Sequence, residues 1–101
     1  EALHVLATRD GVALGCARIL VSGDTAKIGL VCVLKEARGT GLGAAIILHC
    51  LDVARGQAGL TKAKLGSQTH ATAFYEKLGF TAFGPVYDDA GIPHRDMERG
   101  L

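Results

Sequence analysis

The run Arg38-Gly39-Thr40-Gly41-Leu42-Gly43 is where this sequence concentrates its chemistry. Three glycines at alternate positions separate an apolar stretch, 28–34, from a long apolar segment with helical spacing that runs from 41 to about 58. Glycines that open a helix leave its first N–H groups without acceptors, at the positive end of the helix dipole, with no side chain in front of them. Such a surface holds phosphate oxygens. Two familiar phosphate ligands fit poorly. Residues 39–44 satisfy the dinucleotide pattern G-x-G-x-x-[GA], but the connection 35–38 separates them from the strand that should lead directly into the turn. The next strand also closes on Lys64-Leu65-Gly66-Ser67-Gln68, with no acid to hold a ribose. A nucleotide P-loop needs Gly-Lys-[Ser/Thr], and here Gly43 is followed by Ala44-Ala45.

Nucleophiles and metal ligands are sparse. Cys16, Cys32 and Cys50 have no metal-ligand spacing, and each lies in an apolar run, so they are expected to be reduced thiols in the core. The histidines are scattered, and no metal site is proposed. Eleven basic and ten acidic side chains nearly cancel, which gives no electrostatic footprint for nucleic acid or an anionic membrane. No apolar run is long enough to span a bilayer, and no leader is visible, so a cytoplasmic protein is expected.

The elements that must position the glycine loop follow from turn signals and periodicity. Strands are expected at 4–9, 12–21 and 26–34, joined by turns at Asp10-Gly11 and Ser22-Gly23-Asp24-Thr25. The second strand places Val12, Leu14, Cys16, Arg18 and Leu20 on one face and Ala13, Gly15, Ala17 and Ile19 on the other. The third is apolar on both faces, as a central strand is. The helix from 41 is apolar almost all round and is expected to be largely buried. A short strand at 60–66, a helix at 70–78 closed by Gly79, a strand at 80–87, a turn at Asp88-Asp89-Ala90-Gly91 and a strand at 94–99 complete the chain. The order β-β-β-α-β-α-β-β predicts a single α+β domain over 1–101, with a mixed, mostly antiparallel sheet flanked by helices.

On this framework two segments resemble the GNAT N-acetyltransferase superfamily. Arg38-Gly39-Thr40-Gly41-Leu42-Gly43 is similar to its [Gln/Arg]-x-x-Gly-x-[Gly/Ala] loop, and Ala71-Thr72-Ala73-Phe74-Tyr75-Glu76-Lys77-Leu78-Gly79-Phe80 to its A-x-x-F-Y-x-K-x-G-F segment. Asp89-Ala90-Gly91-Ile92-Pro93-His94, together with Gln68, resembles the bacterial ElaA-like and YjcF-like branch. The superfamily opens with a strand and two helices, and nothing corresponding precedes Glu1. The resemblance therefore implies an N-terminally truncated copy whose cofactor site is readable and whose acceptor wall is not.

What the resemblance implies is acetyl transfer from acetyl-CoA to a primary amine, in a small molecule or a protein, by direct attack in a ternary complex. A homodimer is the assembly it implies. The amides of Gly39, Thr40, Gly41, Leu42, Gly43 and Ala44 would hold the pyrophosphate, with Arg38 adding charge or ordering the loop, or else standing as a solvated surface charge. Val31, Cys32 and Val33 would pair through their main chain with the pantetheine arm. Gln68 would bond the cofactor or bridge splayed strands, or simply cap a strand. Tyr75 matches the family's proton donor to the departing thiolate, while Phe74 beside it is expected in the core. His94, Asp88, Asp89, Glu98 and His70 are candidates for the base that frees the amine, His94 foremost or else only a hydrogen-bonded tether of the loop 91–94, and the alternatives are bulk water or a residue of the missing N-terminal piece. The rival readings are a coenzyme A-binding module without catalysis, or one part of a larger assembly, and a nicotinamide-binding fold.

Overall fold

The computed structural model describes residues 2–101. Strands β1 (Ala2–Arg9), β2 (Val12–Ser22) and β3 (Thr25–Val33) form an antiparallel meander. A 3-10 turn (Lys35–Ala37) and the glycine loop lead into α1 (Leu42–Arg55). Then come β4 (Lys62–Gln68), a second 3-10 turn (Thr69–Ala71), the short helix α2 (Thr72–Glu76), and the hairpin of β5 (Thr81–Asp89) and β6 (Ile92–Gly100). The sheet order is β1-β2-β3-β4-β6-β5, and only β3 and β4 run parallel. This is the mixed, mostly antiparallel α+β architecture that the element order implies.

The first turn forms where the local chemistry asks for it: Asp10 and Gly11 both take positive φ, 52° and 79°, which matches the twist of a tight hairpin. The core lies between the sheet and the helices. Helix α1 buries Ile46, Ile47, Cys50, Leu51 and Ala54, the stripe that a helix turns toward a single neighbour. Leu48 on its outer side is 48% exposed, so α1 is amphipathic rather than buried all round: the sheet covers one side of it only. Ile47 and Leu51 are fully buried, and each contributes about 1.5–3 kcal/mol of transfer free energy. Of the two faces of β2, the one with small residues meets the helix. A Cβ on Gly15 would stand 2.7 Å from Cδ1 of Ile46 and 2.8 Å from the Cys32 carbonyl oxygen, so close helix–sheet approach selects glycine there.

The second helix is shorter than the 70–78 pattern suggests. Residues 69–71 form a 3-10 turn, and after Glu76 the chain closes with Phe80 N–H to the Tyr75 carbonyl (3.1 Å) around Gly79. Within the helix Tyr75 turns to the core, and Leu78, in the turn that follows, joins it there. Phe74 is 40% exposed instead of being in the core.

The thiols divide in the same way. Cys50 is buried, Cys16 half-buried and Cys32 exposed, so the expectation of core thiols holds for Cys50 alone. Burial pushes the Cys50 thiol from its usual 9.0 up to about 11. The folded protein thus keeps a proton that the unfolded chain releases near pH 9. The associated stability is complete below pH 9 and is lost as pH rises toward about 11. Chemical denaturation across that window is expected to show a falling midpoint, and a Cys50→Ala variant should lack this part of the fall.

Candidate active site

The site begins as a defect in the sheet. Thr25, Ala26 and Lys27 of β3 pair with Lys62, Ala63 and Lys64 of β4, and there the ladder stops. Strand β4 stays paired to β6 along its whole length, from Lys62↔Gly100 to Gln68↔His94. Strand β3 stays with β2. The two central strands therefore diverge, and the edges they turned toward each other keep unpaired peptide groups, which need partners from elsewhere.

A bulge makes the divergence possible. Arg18 lies opposite Gly29 but Cys16 lies opposite Cys32, so β3 spends an extra residue between these pairs. Side-chain parity flips across it. Ala26 and Ile28 face the helices before the bulge, and Val31 and Val33 pack on the core after it. Cys32 is thereby turned to the other face, which is the physical reason its thiol is exposed.

A cavity of about 290 Å³ fills the gap. Gly29 and Val31 line one bank, and Gly66, Ser67, Gln68 and His94 the other, with Ala71 and Tyr75 on the helix side. Val31, Gln68, Tyr75 and His94, which are far apart in sequence, thus share one slit. Cys32 and Val33 do not line it. Ser67, 1% exposed with its hydroxyl donating to the Gln68 carbonyl (2.8 Å), is a polar group in the slit that the sequence reading missed. Asp88, Asp89, Glu98 and His70 are not among its lining residues. The Asp88 carboxylate accepts from the Gly91 N–H (3.3 Å), and His70 is hydrogen-bonded to Gln68.

Beyond the end of β3 lies the glycine loop. Arg38 Nε donates to the Val33 carbonyl (3.2 Å), so this guanidinium fastens the loop to the end of the strand and is not a free surface charge. Thr40 Oγ1 donates to the Ala37 carbonyl. Gly41, the N-cap of α1, has φ 84° and ψ 1°, a left-handed conformation. The first helical hydrogen bond runs from Ala45 N–H to the Gly41 carbonyl (3.1 Å). Among the described residues, the N–H groups of 39–44 find no backbone acceptor. Added Cβ atoms on Gly39 or Gly41 would meet nothing within 4 Å, so the approach to these amides is open. The ring of Phe74 stands beside the loop, 3.7 Å from where a Cβ on Gly43 would be. It is a further site residue that the helix pattern did not reveal.

Two proton-bearing groups look into the slit. Tyr75 makes edge-on contacts with Phe74 (5.0 Å between centroids) and Phe80 (6.0 Å), and burial raises its phenol above the usual 10.0. Packing on the core and facing the slit are compatible here, because ring and hydroxyl do different things. His94 Nδ1 lies 2.8 Å from the Ile92 carbonyl oxygen. A carbonyl can only accept, so Nδ1 carries the proton and Nε2 of the neutral ring keeps its lone pair.

A domain model described as "Acetyltransferase (GNAT) domain" matches residues 1–101. The chain belongs to the GNAT acetyltransferase family. Among relatives, it is 38% identical over 98 residues to YyaT of Bacillus subtilis, covering 97% of this chain and 66% of YyaT. It is 32% identical over 99 residues to ElaA of Escherichia coli, covering 95% and 65%. The crystal structure of ElaA superposes with a TM-score of 0.88 over 97% of this chain and 68% of that one, at 30% identity. An acyl-CoA N-acyltransferase from Pseudomonas aeruginosa superposes with a TM-score of 0.89 at 33% identity, over 98% and 68%. The chain spans about two thirds or less of the length of the relatives it matches. The splayed strands, the glycine loop and the helix carrying Tyr75 of this GNAT domain all lie inside the matched region.

Proposed function

We propose that this GNAT domain transfers an acetyl group from acetyl-CoA to a primary amine within a ternary complex. The observation that carries the reading is the presence of two sets of unpaired main-chain groups, the open edge of β3 beside Val31 and the exposed amides of 39–44, at the two ends of one strand-to-helix connection. A long, narrow ligand that is amide-rich at one end and carries a diphosphate at the other fits that sequence of donors and acceptors. The main chain of Val31 and Val33 would pair with the pantetheine arm, that of Cys32 being turned to Cys16 of β2, and Gln68 would bond it from the other bank. The amides of 39–44 would take the pyrophosphate, with the positive end of α1 behind them. Acetyl-CoA supplies a thioester carbonyl when bound.

The residues of the slit then manage protons. His94, with Nε2 free to accept, takes the proton that the amine loses as its nitrogen bonds to the carbonyl carbon. Tyr75 gives its proton to sulfur as the C–S bond breaks. Transfer of the amine's proton back to Tyr75 closes the cycle, so that amine and thioester leave as amide and thiol.

Calorimetry of the full-length protein with coenzyme A is the direct test, followed by thiol release from acetyl-CoA with a panel of primary amines. Saturable heat with coenzyme A, together with acceptor-dependent thiol release, is expected. Folded protein that gives no heat with coenzyme A would falsify the reading.

A further inference from the structure

The face of the sheet away from the helices carries a second polar feature at the slit. Leu65 and Met97 are paired and buried under the helices, so their neighbours Gly66 and Asp96, also paired, look to the opposite side. The Tyr87 hydroxyl donates to Asp96 Oδ1 (3.1 Å) across the β5–β6 hairpin. That hydroxyl sits over Gly66, only 2.5 Å from where a Cβ would stand, and Asp96 Oδ1 is 3.9 Å from the same point. Any residue but glycine at 66 would dislodge the pair. The Tyr87 ring also stacks on His94, with centroids 5.9 Å apart and an interplanar angle of 28°. A chain of contacts thus runs from Asp96 through Tyr87 to the imidazole that lines the slit.

Asp96 has no cation of its own. The only ion pair among the described residues joins Arg55 to Asp52. On the Asp96 face its neighbours are His94 and Glu98 on β6, Lys64, Gly66 and Gln68 on β4, and Phe83 and Tyr87 on β5. Of the two lysines that β4 turns to this face, Lys62 and Lys64, the second stands nearer Asp96 in the register. Lys64 has Glu98 as its register partner, and its Nζ lies 5.2 Å from the centroid of the Phe83 ring. The other bank of this face bears Arg18 opposite Gly29, and Lys27, so positive charge is repelled there and attracted to the Asp96 side.

We propose that Asp96, clamped by Tyr87, seats the protonated primary amine of an aliphatic acceptor at the rim of the slit, on the sheet face away from α1. The carboxylate holds the ammonium through charge-assisted hydrogen bonds, the Tyr87 hydroxyl fixes the orientation of the carboxylate, and the flat Tyr87 ring borders the acceptor's carbon stem. From this seat the ammonium first gives one proton to solvent water, and the neutral amine then gives its second to His94, two residues along β6 from Asp96, as nitrogen bonds to the carbonyl carbon. The assignment deepens the transferase reading and rests on it for the direction of attack.

The test uses the full-length protein, with n-butylammonium and its uncharged counterpart 1-butanol as probes. Backbone amide shifts are followed by NMR with and without coenzyme A. The wild type is expected to bind the ammonium in preference to the alcohol, with shifts centred on Gly66, Tyr87 and Asp96. Asp96→Asn should weaken ammonium binding by about tenfold or more. Tyr87→Phe keeps the ring and should weaken it by about threefold. Both should leave coenzyme A affinity unchanged. Equal ammonium affinity in Asp96→Asn and wild type overturns the seat, as does a wild type that shows no shift at these residues. Because the titrations are also run without coenzyme A, a protein that takes the amine but not coenzyme A retains the seat while the transferase reading fails.

Discussion

Replacing Gly41 with valine is expected to weaken coenzyme A binding by about a hundredfold, the equivalent of losing two charge-assisted hydrogen bonds at about 1.5 kcal/mol each. Gly41 caps α1 with φ 84° and ψ 1°. A β-branched residue in that conformation costs roughly 1–2 kcal/mol, and the chain relieves the strain by turning the peptide units on either side. Those units carry the N–H groups that would meet the phosphates under the proposed reading. Open space around the Gly41 Cα does not protect the site, because the requirement comes from the backbone angle and not from crowding. Gly43 is the internal control. Its φ is not positive, it lies inside α1, and a Cβ there would meet Phe74 Cζ at 3.7 Å and Val33 Cγ2 at 4.0 Å, both ordinary contacts. Gly43→Ala should therefore bind coenzyme A within a few-fold of wild type and gain up to about 1 kcal/mol of helix stability. Calorimetry and thermal melts on the two variants separate loop geometry from loop composition. Equal affinity in Gly41→Val and wild type would remove the glycine loop from the phosphate site.

The parts of this molecule that were legible in its sequence are those set by local forces. Asp10-Gly11 marks a hairpin, the alternating glycines mark a helix start, and the apolar run from 42 marks α1, because each depends on residues within one turn of each other. The slit depends on where two strands stop pairing, and no local pattern reports that. Cys32 looks like a core residue until an extra residue in β3 turns it outward. Nothing local singles out Asp96 among the acids of the last hairpin, which include Asp88, Asp89 and Glu98. Its significance comes from a register that puts it opposite Gly66 and from a bulge in β5, between Phe83 and Tyr87, that brings Tyr87 to it. Glycine inside a strand was the available clue: Gly29 and Gly66 stand on the two banks where the sheet opens. The expected strand at 60–66 ended on Gly66, whereas β4 continues to Gln68. The family motifs reached Tyr75 and the loop because they encode nonlocal geometry that one sequence does not display.

Tyr75→Phe should lower kcat by about a hundredfold or more at neutral pH, within the range that a positioned general acid contributes. The substitution suits the question because it removes so little else. The phenylalanine ring keeps the edge-on contacts with Phe74 and Phe80 and the packing against the core. Among the described residues the Tyr75 hydroxyl has no hydrogen-bond partner, so its loss strands no protein group, and stability and coenzyme A affinity should barely change. The pH dependence carries the sharper signature. Burial raises the phenol above 10.0, so the donor stays protonated throughout the neutral and mildly alkaline range. In the wild type, loss of kcat through Tyr75 should begin only above the usual tyrosine value of about 10, and any fall at lower pH belongs to another group. The phenylalanine variant, already without a donor, should lack that high-pH limb altogether. A thiolate whose conjugate acid lies near ~8.5 is a weaker base than the phenolate it would create. Transfer from Tyr75 is therefore uphill by itself, and it is drawn forward by collapse to the amide and by return of the amine's proton to the phenolate. If single-turnover acetyl transfer in Tyr75→Phe matches wild type, the thiolate leaves without help from the protein, and Tyr75 is a packing residue that merely faces the slit.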